Sequence, residues 1–139
     1  MEPALAIFGP LLGQCFAAVI APDIVDRHCF QSVYNGQHVR DTHVVSAKGK
    51  PVYSGETLYS VDGDRLDFTY INSGGGVGHG AATVEAGALI YSGSRKPSTG
   101  RAGVPVKGRW TIGKSGYDVN NEGQAALHFA PAQPDIHRE

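Results

Sequence analysis

His28, Asp41 and His43 are the residues of this chain whose types and spacing could do chemistry. Asp41 and His43 are two residues apart, so on an extended strand their side chains share a face and lie within hydrogen-bonding reach. An imidazole held by a carboxylate can act as a general acid or base, or it can read the polar head of a ligand. The same groups can also satisfy only one another, with water, and fix the register of the strands. In a catalytic reading, His43 is the acid or base and Asp41 fixes its tautomer. His28 or a tyrosine then stabilises developing negative charge. No metal centre is predicted, because only two histidines and one aspartate converge, and no H-x-H or H-E-x-x-H spacing accompanies them. Acyl transfer is disfavoured as well: Ser32 has no G-x-S-x-G context.

Other residues carry weaker signals. His79 lies in a glycine-rich stretch, Gly74 to Gly80, without the Lys-Ser/Thr of a phosphate-binding loop; it reads as a rim that could gate a cavity. Arg95, Lys96 and Arg101 place three positive charges in one loop, solvated or set to attract a carboxylate. Trp110, flanked by Val104, Val106 and Ile112, reads as core. Cys15 and Cys29 are too few for a disulfide scaffold, although a turn near Ala21-Pro22-Asp23 would bring them opposite each other. The opening Met1-Glu2-Pro3 lacks the basic start of a secretory signal, so a cytoplasmic location and two reduced thiols are expected.

The elements that must position these groups are strands. After a short helical segment in Met1–Gly13, runs rich in Val, Tyr, Phe, Thr and Ile recur between glycine turns. Ten strands are read: 14–20, 24–34, 37–47, 51–61, 65–73, 78–85, 88–94, 104–113, 117–121 and 124–130. Asn35-Gly36 and Asp62-Gly63 are the strongest hairpin signals, because a type I′ turn needs positive φ at both central residues. The first turn sets His28 opposite His43 and Phe30 opposite Asp41. The second sets Tyr59 opposite Leu66, Thr57 opposite Phe68 and Gly55 opposite Tyr70. At Lys48-Gly49 the register must be chosen, and pairing His43 with Gly55 makes all three hairpins agree on one inward set. That set is His28, Phe30, Ser32, Val39, Asp41, His43, Val45, Tyr53, Thr57, Tyr59, Leu66, Phe68 and Tyr70. Arg40, Thr42 and Glu56 then face outward. A one-residue slip there would turn Arg40 inward instead.

Tight turns joining so many strands favour an all-β, antiparallel up-and-down barrel of about 8–10 strands, since closure removes both exposed edges. The segment Leu11-Leu12-Gly13-Gln14-Cys15-Phe16, a short helix ending in glycine before an aromatic-bearing strand, resembles the entry of lipocalin-like (calycin) barrels. It is similar to their nitrobindin-type and fatty-acid-binding-type members. The resemblance implies an internal pocket for a hydrophobic or amphipathic small molecule, sometimes haem. It makes His128, on the last strand, a candidate axial ligand, its face being left open by the turn at Glu122-Gly123. No cofactor is otherwise expected.

Composition bounds the alternatives. With 139 residues, 41% of them apolar, the chain suits one domain with a sizeable core, 1–139, its tail from Pro131 to Glu139 expected to fray. A net charge of −1 provides no phosphate-binding field, so nucleic acid is not an expected partner. No apolar run approaches the roughly 18 residues that span a bilayer, so membrane insertion is not expected. The oligomeric state stays open, a homodimer included. Two functions follow: binding a small amphipathic molecule against Phe30, Tyr53, Thr57, Tyr59, Phe68 and Tyr70 with its polar end on His28, Asp41 and His43, or cofactor-independent isomerase, cyclase or hydratase chemistry in the same cavity.

Overall fold

The computed structural model describes residues 2–133. A 3-10 helix, η1 (Pro3–Leu11), precedes ten strands: β1 (Cys15–Ala21), β2 (Ile24–Val33), β3 (His38–Ala47), β4 (Lys50–Asp62), β5 (Arg65–Asn72), β6 (Val77–Glu85), β7 (Ala88–Lys96), β8 (Val104–Gly113), β9 (Gly116–Asn121) and β10 (Leu127–Ala132). Each strand pairs antiparallel with the next, and β1 pairs with β10 to close the barrel. The all-β up-and-down barrel expected from the turns is therefore the architecture.

Pro3 stands at the start of η1, where its missing N–H costs nothing, and Gly13 ends the segment at φ +76°. Leu5, Phe8 and Leu11 are spaced by three, the repeat of a 3-10 helix, so they share one face and are fully buried. That face plugs one end of the barrel, with the Phe8 ring stacked 6.3 Å from Phe30 and tilted against Tyr59 at 4.6 Å. The turns at 34–37, 63–64 and 86–87 lie at this plugged end. Those at 22–23, 48–49, 73–76 and 97–103 surround the other, open end.

Asn35 and Gly36 both have positive φ, and the turn pairs His28 with His43 and Phe30 with Asp41. The second hairpin turns one residue later than expected. Asp62 pairs with Arg65, so Gly63-Asp64 form the loop and only Gly63 has positive φ. This sets Thr57 opposite Tyr70 and Tyr59 opposite Phe68, a shift of two residues in pairing that leaves every side chain on the expected face. At Lys48-Gly49 the turn pairs Ala47 with Lys50 and Ser46 with Pro51, whereas Val45 pairs with Tyr53. Val52 is thus the extra residue of a β-bulge, and beyond it His43 faces Gly55, as expected. Ser32 pairs opposite Val39 but is exposed at the plugged end's rim.

Two further expectations are corrected. Cys15 and Cys29 pair directly across β1 and β2 and form a disulfide on the outer face. Their Cα atoms are only 4.1 Å apart, and the turn that was read as bringing the thiols opposite each other makes the bond geometrically accessible. Pro131 and Ala132 complete β10 instead of fraying, while 134–139 lie outside the described residues. The ladders differ in length: β2–β3 and β3–β4 each join ten residue pairs, whereas β10 is joined by three pairs to β1 and three to β9. No helix among the described residues is long and apolar enough to cross a membrane.

Candidate functional site

Alternation along β2 points Asp26, His28 and Phe30 inward, and alternation along β3 does the same for Asp41, His43 and Val45. The result is a single hydrogen-bonded chain. The Asp41 carboxylate accepts from His28 Nδ1 at 2.7 Å, and Asp26 Oδ2 accepts from His28 Nε2 at 3.0 Å. The second oxygen of Asp26 accepts from His43 Nδ1 at 3.0 Å, and His43 Nε2 meets the Tyr70 hydroxyl at 2.8 Å. Asp26 is the member that the sequence reading missed. Its signal was present, since it precedes His28 by two residues on the same strand. Asp41 consequently orients His28, and Asp26, not Asp41, fixes the tautomer of His43.

Both ring nitrogens of His28 face carboxylates, which accept only, so the ring must carry two protons. Burial opposes that charge but is outweighed by the Asp41 carboxylate, by hydrogen bonds to Asp26 and Asp41 and by the charge of Asp26. The ring is thereby pushed up to about 10. Burial would raise Asp26, yet hydrogen bonds from His28 and His43, and then their charges, hold it well below the usual carboxylate range. Asp41 is only 2% exposed and His43 only 7%, and these polar groups persist inside the barrel because Asp41 is bonded to His28, and His43 to Asp26 and Tyr70.

Above the chain lies a cavity of about 440 Å³, within the usual range for a small-molecule pocket of roughly 300–1,000 Å³. His28, His43, Tyr53, Thr57, Tyr59, Phe68 and Tyr70 line it, as expected. Phe30 and Asp41 do not: Phe30 is fully buried in the apolar layer above η1, and Asp41 lies behind His28. The lining also includes Asp26, Tyr91, Trp110, Tyr117 and Phe129, with Arg95 toward the mouth. Trp110 was read as core and is both, packed 4.7 Å from Tyr117 while its surface joins the cavity wall. Burial pushes the Tyr91 hydroxyl up to about 12 and raises Tyr59 and Tyr117 well above the ordinary range, so these phenols stay neutral. Tyr117 Oη is buried with no hydrogen-bond partner among the described residues. Glycines make room for the rings: a Cβ on Gly80 would stand 2.6 Å from Phe68 Cζ, and one on Gly55 would stand 2.9 Å from Tyr70 Oη.

Asp26, His28 and His43 offer ligand atoms that all lie within 4.8 Å of one another. The two imidazoles, however, are stacked 4.8 Å apart and only 25° from parallel. Their nitrogens point side by side into the two oxygens of Asp26 rather than converging on one point, and His28 would have to give up a strongly held proton. The donor set fits a hydrogen-bonded relay better than a metal ion. His128 pairs across β10–β9 with Asp118, hydrogen-bonds to it at 2.6 Å and is exposed on the outer face. It does not face the cavity as an axial ligand of bound haem would. His79 also lies outside, near Ser94, and Arg40 pairs with Glu56 on the outer surface.

No protein-family model matches the chain, and no curated protein matches it. Among solved structures it is similar to the crystal structure of Rv2717c from M. tuberculosis, with a TM-score of 0.64 over 96% of this chain and 99% of that one. The two are 16% identical in sequence, so the likeness is one of fold.

Proposed function

We propose that the protein binds a small hydrophobic or amphipathic molecule inside the barrel. The observation that carries this reading is a cavity plugged by η1 at one end, lined by aromatic rings that include Tyr59, Phe68, Tyr91, Trp110, Tyr117 and Phe129, with the hydrogen-bonded Asp26, His28, His43 and Tyr70 on the side formed by β2, β3 and β5. Such a wall takes the apolar body of a ligand while the Tyr70 and His43 side fixes its polar end. The resemblance to lipocalin-like barrels supports the same reading. The chain's one tryptophan, Trp110, lines the cavity and serves as an internal reporter. Medium-chain alkyl probes are expected to change its emission saturably and to add their mass, one per chain, in native mass spectrometry. Unchanged emission and no added mass across such a series would refute the proposal.

A second reading, cofactor-independent isomerase, cyclase or hydratase chemistry, is favoured by one observation: the relay is unbroken from Asp41 to a hydroxyl on the cavity wall. In that reading His43, oriented by Asp26, moves the proton through Tyr70. Turnover lost in His43→Gln with ligand uptake retained would favour it over binding alone.

A further inference from the structure

The direction of each hydrogen bond in the relay follows from its fixed ends. Asp26 only accepts, so His43 Nδ1 carries a proton and donates. While His43 is neutral, its Nε2 is an acceptor, and the Tyr70 O–H must point at it. The Tyr70 oxygen then turns a lone pair toward the cavity that Tyr70 lines. When His43 takes a second proton, Nε2 becomes a donor, the Tyr70 oxygen accepts from it, and the Tyr70 O–H is released toward the cavity. One proton on His43 reverses what the Tyr70 hydroxyl asks of a ligand.

Resting on the amphiphile-binding reading, we infer that Tyr70 and His43 form a proton-controlled selector of ligand head groups. It takes hydroxyl-headed amphiphiles, alcohols or phenols, when His43 is neutral, and admits carbonyl-headed ones when His43 is protonated. A site whose polar group must be matched by a ligand donor strongly rejects the analogue lacking it. Several strands present groups to His43. On β2, Asp26 and the cationic His28 are locked together, and on β3 Asp41 holds the far side of His28. Tyr53 on β4 presents its ring 5.8 Å away, edge to face, and Tyr70 on β5 bonds directly. Arg95 on β7 lies on the same cavity's wall. Burial raises Tyr53 and Tyr70 above the ordinary phenol range; in Tyr53 the Asp26 charge adds to it and Arg95 opposes, and in Tyr70 a hydrogen bond with the Asn72 side chain opposes it most, ahead of Arg95. Both phenols therefore keep their protons.

The test uses decan-2-ol and decan-2-one, which share a skeleton and titrate nowhere between pH 5 and pH 9. Any change in their affinity ratio with pH then belongs to the protein. Dissociation constants from Trp110 emission are expected to favour the alcohol at pH 9 by about tenfold or more and to approach parity at pH 5. His43→Gln should give a ratio independent of pH, and Tyr70→Phe a ratio near one throughout. A wild-type ratio that does not move with pH overturns the selector while leaving amphiphile binding intact. A shift that persists in Tyr70→Phe removes Tyr70 from it. Binding of neither probe overturns both readings together.

Discussion

His28 shows how a histidine can become a fixed cation inside a barrel. Its two nitrogens are saturated by Asp41 and Asp26, and it sits 5.2 Å from the Phe129 ring and 4.8 Å from that of His43. In the unfolded chain the same imidazole titrates near its ordinary value of about 6.5. Because its value is raised on folding, to about 10, the stabilisation is fully present below about pH 6.5 and is lost as pH rises through about 10. Unfolding free energies from urea titrations are expected to fall between pH 7 and pH 10 by an amount on the order of a few kcal/mol, and the urea midpoint with them. His28→Gln should be less stable at pH 6 and nearly flat over that range. A wild-type midpoint that does not decline toward pH 10 would contradict the double ion pair. Asp26 contributes with the opposite sign: its lowered value gives stability that is present above the ordinary carboxylate range and lost in strong acid.

At the scale of the element, the β-bulge at Val52 decides what the site contains. The Lys48-Gly49 turn pairs Ala47 with Lys50, and that ladder continued without a bulge through Val52 would set His43 opposite Ser54 and turn β4 over. One extra, exposed residue absorbs the difference. Two single deletions should therefore behave in opposite ways. Removing Val52 lets the ladder close up with the same partners, so a cooperative melt and Trp110-monitored probe binding are expected to survive. Removing Leu58, six residues further along β4, sends one half of the strand to the wrong face and should abolish both. Similar outcomes for the two deletions would mean that the bulge does not set the register. The strands, the first turn and the inward set were legible in the sequence, because period-two alternation and Asn-Gly chemistry are local signals. The shift from Asp62-Gly63 to Gly63-Asp64 was not, since either pair closes a two-residue loop and both keep the faces. The relay was half legible. Asp41, His28 and His43 followed from parity, but their partners depend on side-chain reach: Asp26 takes the place beside His43 that sequence proximity had given to Asp41. The disulfide was hidden for a different reason, because an argument from compartment outweighed one from pairing.

As a whole molecule, the barrel has unlike ends. Buried leucines and Phe8 fill one, while the other opens among exposed apolar and basic side chains, including Val104, Tyr53 and Arg95. The wall between these ends is unevenly fastened. β10 holds to its neighbours by three residue pairs on each side, and Pro131, in the middle of its ladder with β1, has no N–H to donate. Like a cask with one loose stave, the molecule should part sideways along β10 before it comes apart elsewhere. In hydrogen–deuterium exchange the amides of Phe129 and Ala130 are expected to lose protection well before those of Cys29 and Thr42, paired in the ten-pair ladder of β2 and β3; equal protection would mean the stave is as firmly seated as the rest. Phe129 is buried, lines the cavity and packs its ring 4.8 Å from Tyr117, so a lifted β10 carries part of the binding wall with it. A guest could then slip in or out through the flank, at a rate set by how often the stave lifts and indifferent to changes at the mouth.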